Sequence, residues 1–239
     1  MNRNWKILLL ASLVVVFAFP VISAAAGKPT LAVAEFRNDT SAGWWYGGVG
    51  NDLAGMLTNE LASTDKFRMV ERDKLNAVLD EQDLAASGRI SASTGAKIGK
   101  VTGAQYLVVA TVSSFEEKTQ GGGGGLSFRG LHVGGKKDEA YMAVDLRVID
   151  TTTGEVAFTR TVEARSSSYG LNASGYTHGL GGGLEKYNNT PVGKAIRGCI
   201  IEISDYLSCA MVDKGSCMDE YNAKEKSRRD KTKKSIKLD

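Results

Sequence analysis

Few side chains in this sequence have the types and spacing needed for chemistry. The two histidines, His132 and His178, stand apart from any motif that supplies a nucleophile. No histidine lies near the cysteines, so we predict no metal site and no cofactor. The glycine run at residues 121–125 lacks the Lys-Ser/Thr end of a phosphate-binding loop. We therefore predict no catalytic residues and a protein that is not an enzyme; a hydrolase that uses His132 or His178 is the enzymatic alternative.

The three cysteines predict structural roles. Cys199 falls on the apolar stripe of a predicted helix, where a thiol packs as a small hydrophobic group. Cys209 and Cys217 flank a short loop, and in an oxidising compartment they can form a disulfide. Spacing alone does not decide between this pairing and two free thiols, because the geometry is not known from sequence.

The N-terminus has the three-part pattern of a secretory signal peptide. Arg3 and Lys6 precede an apolar run at residues 7–19, and small residues follow up to Ala26. The apolar run is shorter than the roughly 20 residues that span a bilayer as a helix. We predict that residues 1–26 are a signal peptide and that the protein is exported; a membrane anchor is the alternative.

Composition limits the class of protein. Of 239 residues, 42% are hydrophobic, which is enough for a folded core. The net charge is +3, and two of the cations lie in the predicted leader. This near-neutral balance argues against binding nucleic acid by bulk charge.

Apolar periodicity in the first half predicts alternating strands and helices packed as an α/β layer. The predicted strands cover residues 30–36, 66–71 and 105–115, and the predicted helices cover residues 49–62, a segment capped by Asp73, and residues 93–101.

The second half begins with a predicted hairpin formed by residues 141–150 and 156–165. A long helix follows, with Thr190 as its N-cap and Pro191 in its first turn. We predict a folded domain over residues 27–212 and a basic, disordered tail over residues 213–239.

Two segments, residues 118–139 and 166–189, interrupt this plan on either side of the hairpin. Irregular loops of such length are uncommon in a compact domain. Apolar residues alternate with polar ones in both segments: Leu126, Phe128, Leu131 and Val133 in the first, and Tyr169, Leu171 and Ala173 in the second. The bands are thin and rich in glycine, so the pattern leaves open either membrane hairpins or periplasmic loops.

Five motifs in order resemble the curli secretion channel family (CsgG and its relatives). They are LAVAEF with the helix LAGMLTNEL, then FRMVERDKLNAVLDEQ, IGKVTGAQYLVVATV, VDLRVIDTTTGEV and YNNTPVGKAIRGCIIEISDYL. The match runs from about Thr30 to Leu207, which is nearly all of the predicted mature chain.

The resemblance implies an α/β periplasmic sheet-and-helix domain similar to the N-terminal domain of TolB. It also implies that copies of the chain form a ring, in which the two interrupting segments serve as β-hairpins of a shared outer-membrane barrel. Unfolded fibre subunits would leave through it by diffusion, with periplasmic or surface accessory proteins as further partners. In this family the loop before the first helix lines the narrowest point of the pore, which implies a constriction formed by Trp44, Trp45 and Tyr46.

Two alternatives remain open at this point. Large aromatics are also enriched at interfaces, so Trp44, Trp45 and Tyr46 equally fit core packing or a subunit contact. The family's channel members are lipoproteins, and this chain has no cysteine at the predicted cleavage site. The alternative function is a soluble periplasmic binding or regulatory module of the same fold, like the activators of penicillin-binding proteins.

Overall fold

The computed structural model describes residues 27–121, 126–128, 131–133, 135–171 and 189–236. These residues form one mixed sheet, a small two-stranded sheet and four α-helices. The strands are β1 Thr30–Val33, β2 Arg37–Asn38, β3 Arg68–Met69, β4 Tyr106–Gly121, β5 Leu126–Phe128, β6 Leu131–Val133, β7 Gly135–Asp150 and β8 Val156–Leu171. The α-helices are α1 Val49–Ser63, α2 Leu75–Ala86, α3 Pro191–Leu207 and α4 Cys217–Ser235, with a π-helical segment Ser208–Asp213 between the last two.

The main sheet has the strand order β3-β1-β4-β7-β8, and β2 also pairs with β4. β1 runs parallel to β3 and β4, whereas β4, β7 and β8 are antiparallel neighbours. All four residues of β1 are buried, as expected for a parallel strand that is covered on both faces. The first and second predicted strands are therefore present but shorter than predicted.

Helices α1 and α3 pack together against the sheet and enclose the core. The predicted start of α3 is confirmed, because the Thr190 hydroxyl accepts a hydrogen bond from the backbone N–H of Gly193 at 3.2 Å. The predicted apolar stripe of this helix is also buried: Val192, Ile196, Cys199, Ile200, Ile203 and Leu207.

Two glycines allow α1 to begin close to the end of the first strand. Gly48 has a φ of 96°, a left-handed conformation that suits glycine. Gly50 lies against the strand segment, where an added Cβ would sit 2.4 Å from the carbonyl oxygen of Phe36. The backbone N–H of Phe36 in turn donates to the carbonyl of Gly50 at 3.1 Å.

Two local predictions in the first half are corrected by the structure. Residues 93–101 form turns instead of a helix, and Gly99 within them has a φ of +73°. Helix α2 starts after Lys74 without a side-chain cap, so Asp73 is not its N-cap. The backbone N–H of Asp73 instead donates to the Glu71 carboxylate at 2.9 Å.

The predicted disordered tail over residues 213–239 also differs, because residues 217–235 form helix α4. Its first turn carries Asp219 and Glu220 and its last turn carries Lys233 and Lys234, an order that complements the helix dipole. Tyr221 is buried and fixes the helix to the domain. Across the part of the chain that the structure describes, no helix combines the length and apolar character needed to cross a membrane.

Candidate functional site

The most unusual feature of the fold is the length of its three antiparallel strands. β4, β7 and β8 each have 16 residues, about three times the common strand length of roughly 5–6 residues. From Ser114 outward, β4 pairs continuously with β7 as far as Gly121 with Lys136, and β7 pairs continuously with β8 from Val148 out to Gly135 with Leu171. We call the part beyond the buried Ala140 the strand extension. Much of segment 118–139 and the start of segment 166–189 therefore continue the core sheet.

The strand extension is followed by a two-stranded tip formed by β5 and β6. The register pairs Leu126 with Val133 and Phe128 with Leu131, and it pairs Ser127 with His132. Residues 129–130, which lie between β5 and β6 in the sequence, are outside the described residues. Ala173 and His178 also lie outside the described residues.

A β-bulge between Val112 and Ser114 shifts by one residue the alternation of β4 side chains between the two faces of the sheet. Val112 is buried before the bulge, while after it Phe115 packs against the core. The Phe115 ring meets the Trp44 ring edge-on, with centroids 5.7 Å apart. The bulge thus directs an aromatic side chain from the base of the extension toward the loop before α1.

The open face of the extension carries a polar network. The Tyr141 hydroxyl donates to the Glu163 carboxylate at 3.0 Å, and the Arg165 guanidinium lies 4.5 Å above the Tyr141 ring. Burial, together with this hydrogen bond, raises the pKa of Tyr141 to about 12. Further out, Glu116 pairs with Lys118 at 3.1 Å, and the extension there presents charges of both signs.

The loop between β2 and α1 is held by its own hydrogen bonds. The Asn38 side-chain oxygen accepts from the Thr40 N–H at 3.0 Å and from the Thr40 hydroxyl at 2.7 Å. The Thr40 hydroxyl oxygen accepts in turn from the Ala42 N–H at 3.2 Å. This chain of Asx-type contacts fixes the path of the loop into the aromatic residues.

The three consecutive aromatics of this loop have different environments. Trp44 is only 4% exposed and belongs to the core, so the structure corrects the prediction that it lines a constriction. A side chain buried within one chain has no surface left to offer a passing polypeptide. Trp45 and Tyr46 are partly exposed, and the Tyr46 hydroxyl donates to the Asp52 carboxylate at 3.0 Å.

The cysteines adopt two different states. Cys209 and Cys217 are joined by a disulfide, with their Cα atoms 6.0 Å apart. Cys199 is a buried free thiol that donates to the Met142 carbonyl at 3.8 Å. Burial raises the pKa of Cys199 to about 12, so its thiol stays protonated and unreactive at neutral pH.

One cluster was missed by sequence reasoning. Arg160 lies on the side of β8 that faces the helices, with its guanidinium 5.1 Å from the Tyr206 ring and 5.3 Å from the Tyr221 ring. It also donates to the backbone carbonyl of Tyr221. The sequence signal for this cluster is Arg160 itself, which interrupts the alternating apolar residues Phe158, Val162 and Ala164.

No group of three or more His, Cys, Asp or Glu side chains is placed to hold a metal ion within the described ranges. The site therefore consists of paired strands, an aromatic loop and a polar face. Such a site can pair with other strands and contact a polypeptide.

Comparison with known families identifies the class of protein. The family model described as "Curli production assembly/transport component CsgG" matches residues 16–236. Because the match covers nearly the whole sequence, the chain belongs to the CsgG family. No curated protein matches the sequence.

Several solved structures are similar to this chain at low sequence identity. The hypothetical protein CT253 from Chlamydia trachomatis is 16% identical with a TM-score of 0.42, over 75% of this chain and 95% of that one. A PelC dodecamer from Paraburkholderia phytofirmans is 13% identical with a TM-score of 0.33, over 74% and 83%. The LpoB C-terminal domain from Salmonella enterica is 17% identical with a TM-score of 0.28, over 59% and 85%.

Proposed function

We propose that this chain is one subunit of an oligomeric outer-membrane secretion channel of the curli type, which exports unfolded fibre subunits by diffusion. The observation that carries the proposal is the strand extension, which continues the core sheet outward and ends in the β5–β6 tip. Family membership supports the same reading. Export to the periplasm and outer membrane is part of this proposal.

An open edge of β4 supports assembly into a ring. β2 pairs with β4 only at Thr111 and Val112, and among the described residues no strand continues on that side as far as Gly121. An unpaired edge exposes N–H and C=O groups that favour pairing with another strand. In a ring of copies, a strand from the next subunit would satisfy this edge, and a closed barrel would leave no edge in the bilayer.

The charges divide the extension into two zones. Glu116, Lys118 and Glu139 are too costly to place at the centre of a bilayer, so this stretch would lie at or below the membrane surface. The tip carries the apolar residues Leu126, Phe128, Leu131 and Val133, paired with one another in register. Together with Tyr169, Leu171 and Ala173 of the second segment, they are the candidate lipid-contacting residues.

The constriction is proposed to be formed by Trp45 and Tyr46, with Trp44 as its internal support. Trp45 packs against Trp44 with ring centroids 5.5 Å apart, so the buried indole positions the exposed one. The hydrogen bond from Tyr46 to Asp52 ties the second aromatic to the start of α1. A ring of such loops would admit an extended chain and exclude a folded one.

The alternative is a soluble periplasmic binding or regulatory module without a pore. The charged side chains of the extension favour this module. Glu116 and Lys118 form an ion pair at 3.1 Å, and both side chains are exposed to solvent in the single chain. In this case the extension would be a surface for a periplasmic partner.

Membrane fractionation of the native host separates the two functions. The channel predicts that the protein stays in the outer-membrane pellet through high-salt and carbonate washes and is released only by detergent. The purified protein should then conduct ions in planar bilayers, and the double variant Trp45→Ala/Tyr46→Ala should raise the single-channel conductance. Trp44→Phe is the matched control, because it alters an aromatic that is buried. Release into the soluble fraction would rule out the channel and favour the module.

A further inference from the structure

The two flanks of the sheet carry opposite charges. The basic flank consists of exposed cations in the second half of α4, the helix whose Tyr221 carbonyl accepts from Arg160 of β8: Lys226, Arg229, Lys231, Lys233 and Lys234, with Asp230 among them. The acidic flank consists of exposed carboxylates beside β2 and the open edge of β4: Glu35, Asp39, Asp52 and Glu117. The backbone N–H of Asp39 donates to the Val112 carbonyl of β4 at 3.0 Å, and this hydrogen bond places the acidic flank beside β4. The sheet order places β8 at one end, and the open edge of β4 faces away from β7 and β8.

Helix α4 holds the basic flank in a fixed position. The Tyr221 ring stacks edge-on against Tyr206 with centroids 5.3 Å apart. The Lys224 ammonium pairs with Glu202 of α3 at 3.1 Å. The disulfide of Cys209 and Cys217 fixes the first residue of the helix. These contacts hold the first two turns of α4, and the basic flank follows on the same helix.

The basic flank has few internal partners. Within the described residues, Lys226, Lys231, Lys233 and Lys234 form no ion pair, whereas Arg228 is paired with Glu225 at 2.7 Å. The helix is polar on all sides apart from Tyr221, so it lacks the apolar face that inserts into a lipid surface. Its charge is better suited to a protein surface of opposite sign.

The acidic flank provides such a surface on the same chain. The cations in β2 and in β4 beyond the bulge are Arg37 and Lys118, and Lys118 is already paired with Glu116. The carboxylates thus remain in excess on this side of β4. A flank of one sign at each end of a subunit is the arrangement expected for a head-to-tail contact, which closes into a ring when the rotation between copies allows it.

We propose that the basic flank of one copy binds the acidic flank of the next copy and sets the direction of assembly. The inference rests on the proposed ring and names the surface that orients its subunits. Complementary charge contributes to the encounter rate and to orientation, and it weakens with salt.

Charge reversal tests the contact in the full-length protein, purified in detergent. We expect Lys231→Glu/Lys234→Glu to raise the concentration needed for half-assembly by about tenfold or more, measured by native mass spectrometry at low salt. The matched control Lys97→Glu/Lys100→Glu makes the same charge change on exposed residues at the far end of β4 from Glu117. It should assemble like the wild type.

Reversing the charges on both flanks together tests whether the two flanks bind each other in neighbouring copies. Asp39→Lys/Glu117→Lys alone should weaken assembly to a similar extent, and the chain with all four substitutions should return to within about threefold of the wild type. An α4 variant that assembles normally overturns the inference. A loss that the four-substitution chain does not restore also overturns it, because α4 would then bind something other than the acidic flank.

Conductance measured on the same samples separates this inference from the channel. Wild-type rings that conduct, with no effect of α4 reversal on assembly, leave the channel standing and refute the contact. Assembly that follows the charge pattern without any conductance supports the contact and refutes the channel. A wild type that stays a single chain at all concentrations refutes both.

Discussion

Replacing Trp44 with alanine tests whether this residue belongs to the core or to the pore. The side chain is 4% exposed and contacts the rings of Trp45 and Phe115. Burying an aromatic of this size removes roughly 150–250 Å² from water. At about 25 cal/mol per Å² this contributes about 4–6 kcal/mol, and core replacements of Phe or Trp by Ala cost about 3–5 kcal/mol. We expect Trp44→Ala to lower the free energy of unfolding by about 4 kcal/mol.

Two further variants calibrate that value. Trp44→Phe keeps a ring against Phe115 and removes the indole N–H, which has no hydrogen-bond partner among the described residues. Losing an unpaired buried donor offsets part of the lost packing, so we expect a cost of only about 1–2 kcal/mol. Trp45→Ala removes a partly exposed ring and should cost less than about 2 kcal/mol.

Urea unfolding followed by circular dichroism, at one fixed protein concentration, gives all three values from the midpoint and slope. We expect the free energy of unfolding to be lowest for Trp44→Ala, higher for Trp45→Ala and highest for the wild type. The reasoning is refuted if Trp44→Ala stays within about 1 kcal/mol of the wild type while Trp45→Ala costs more, because Trp45 would then be the buried aromatic.

Three other predictions concern the disulfide, the α4 anchor and the start of α1. Cys217→Ser opens a loop with a sequence separation of 8 and should lower the free energy of unfolding by about 2–3 kcal/mol; equal unfolding midpoints with and without reductant would contradict this. Burial raises the pKa of Tyr221 to about 12, so its contribution to stability is present below pH 10 and lost as pH rises through about 12. In a pH titration followed by tyrosinate absorbance, the Tyr221→Phe variant should show one fewer phenol that ionises at about pH 12. Gly50→Ala forces a Cβ to 2.4 Å from the Phe36 carbonyl and should cost about 1–3 kcal/mol in thermal unfolding, whereas Gly55→Ala, with nothing within 4 Å, should be neutral or stabilising.

The elements specified by local pattern were predictable from the sequence. The apolar run of β1 and the Thr190-Pro191 start of α3 each carry their own signal, because burial and capping depend on neighbouring residues. The stripe of α3 was found for the same reason. Residues 93–101 had helical spacing but contain Gly99 in a left-handed conformation, and that backbone requirement outweighs the pattern.

The length of β4, β7 and β8 was not predictable, because the outer residues of β4 and β7 include glycine, lysine, aspartate and glutamate, which do not favour strands, and β8 ends in a run of three serines before Tyr169. These residues are extended because each has a paired neighbour in register, which is a property of the sheet. Helix α4 was missed for a related reason. Its composition suggests disorder, while Tyr221, Arg160 and the disulfide hold it in place from distant parts of the chain.

The candidate site was only partly visible in the sequence. The loop of Trp44, Trp45 and Tyr46 lies just before α1, but three adjacent aromatics give no indication of which one turns inward. That choice depends on Phe115, which reaches Trp44 only because of the bulge in β4.

The continuous pairing of β4, β7 and β8 beyond the bulge has a consequence for how this fold changes in length. Successive residues of a strand point to opposite faces, so inserting one residue into one strand reverses every side chain beyond it. The extension can become longer or shorter without reversing its side chains only if residues are added or removed in pairs. The same change must occur in the neighbouring strands. Indels in this part of the chain should therefore come in even numbers, whereas the loops at either end can vary freely. The bulge at Val112 and Ser114 is the exception built into β4, and deleting its extra residue should invert the entire outer half of that strand.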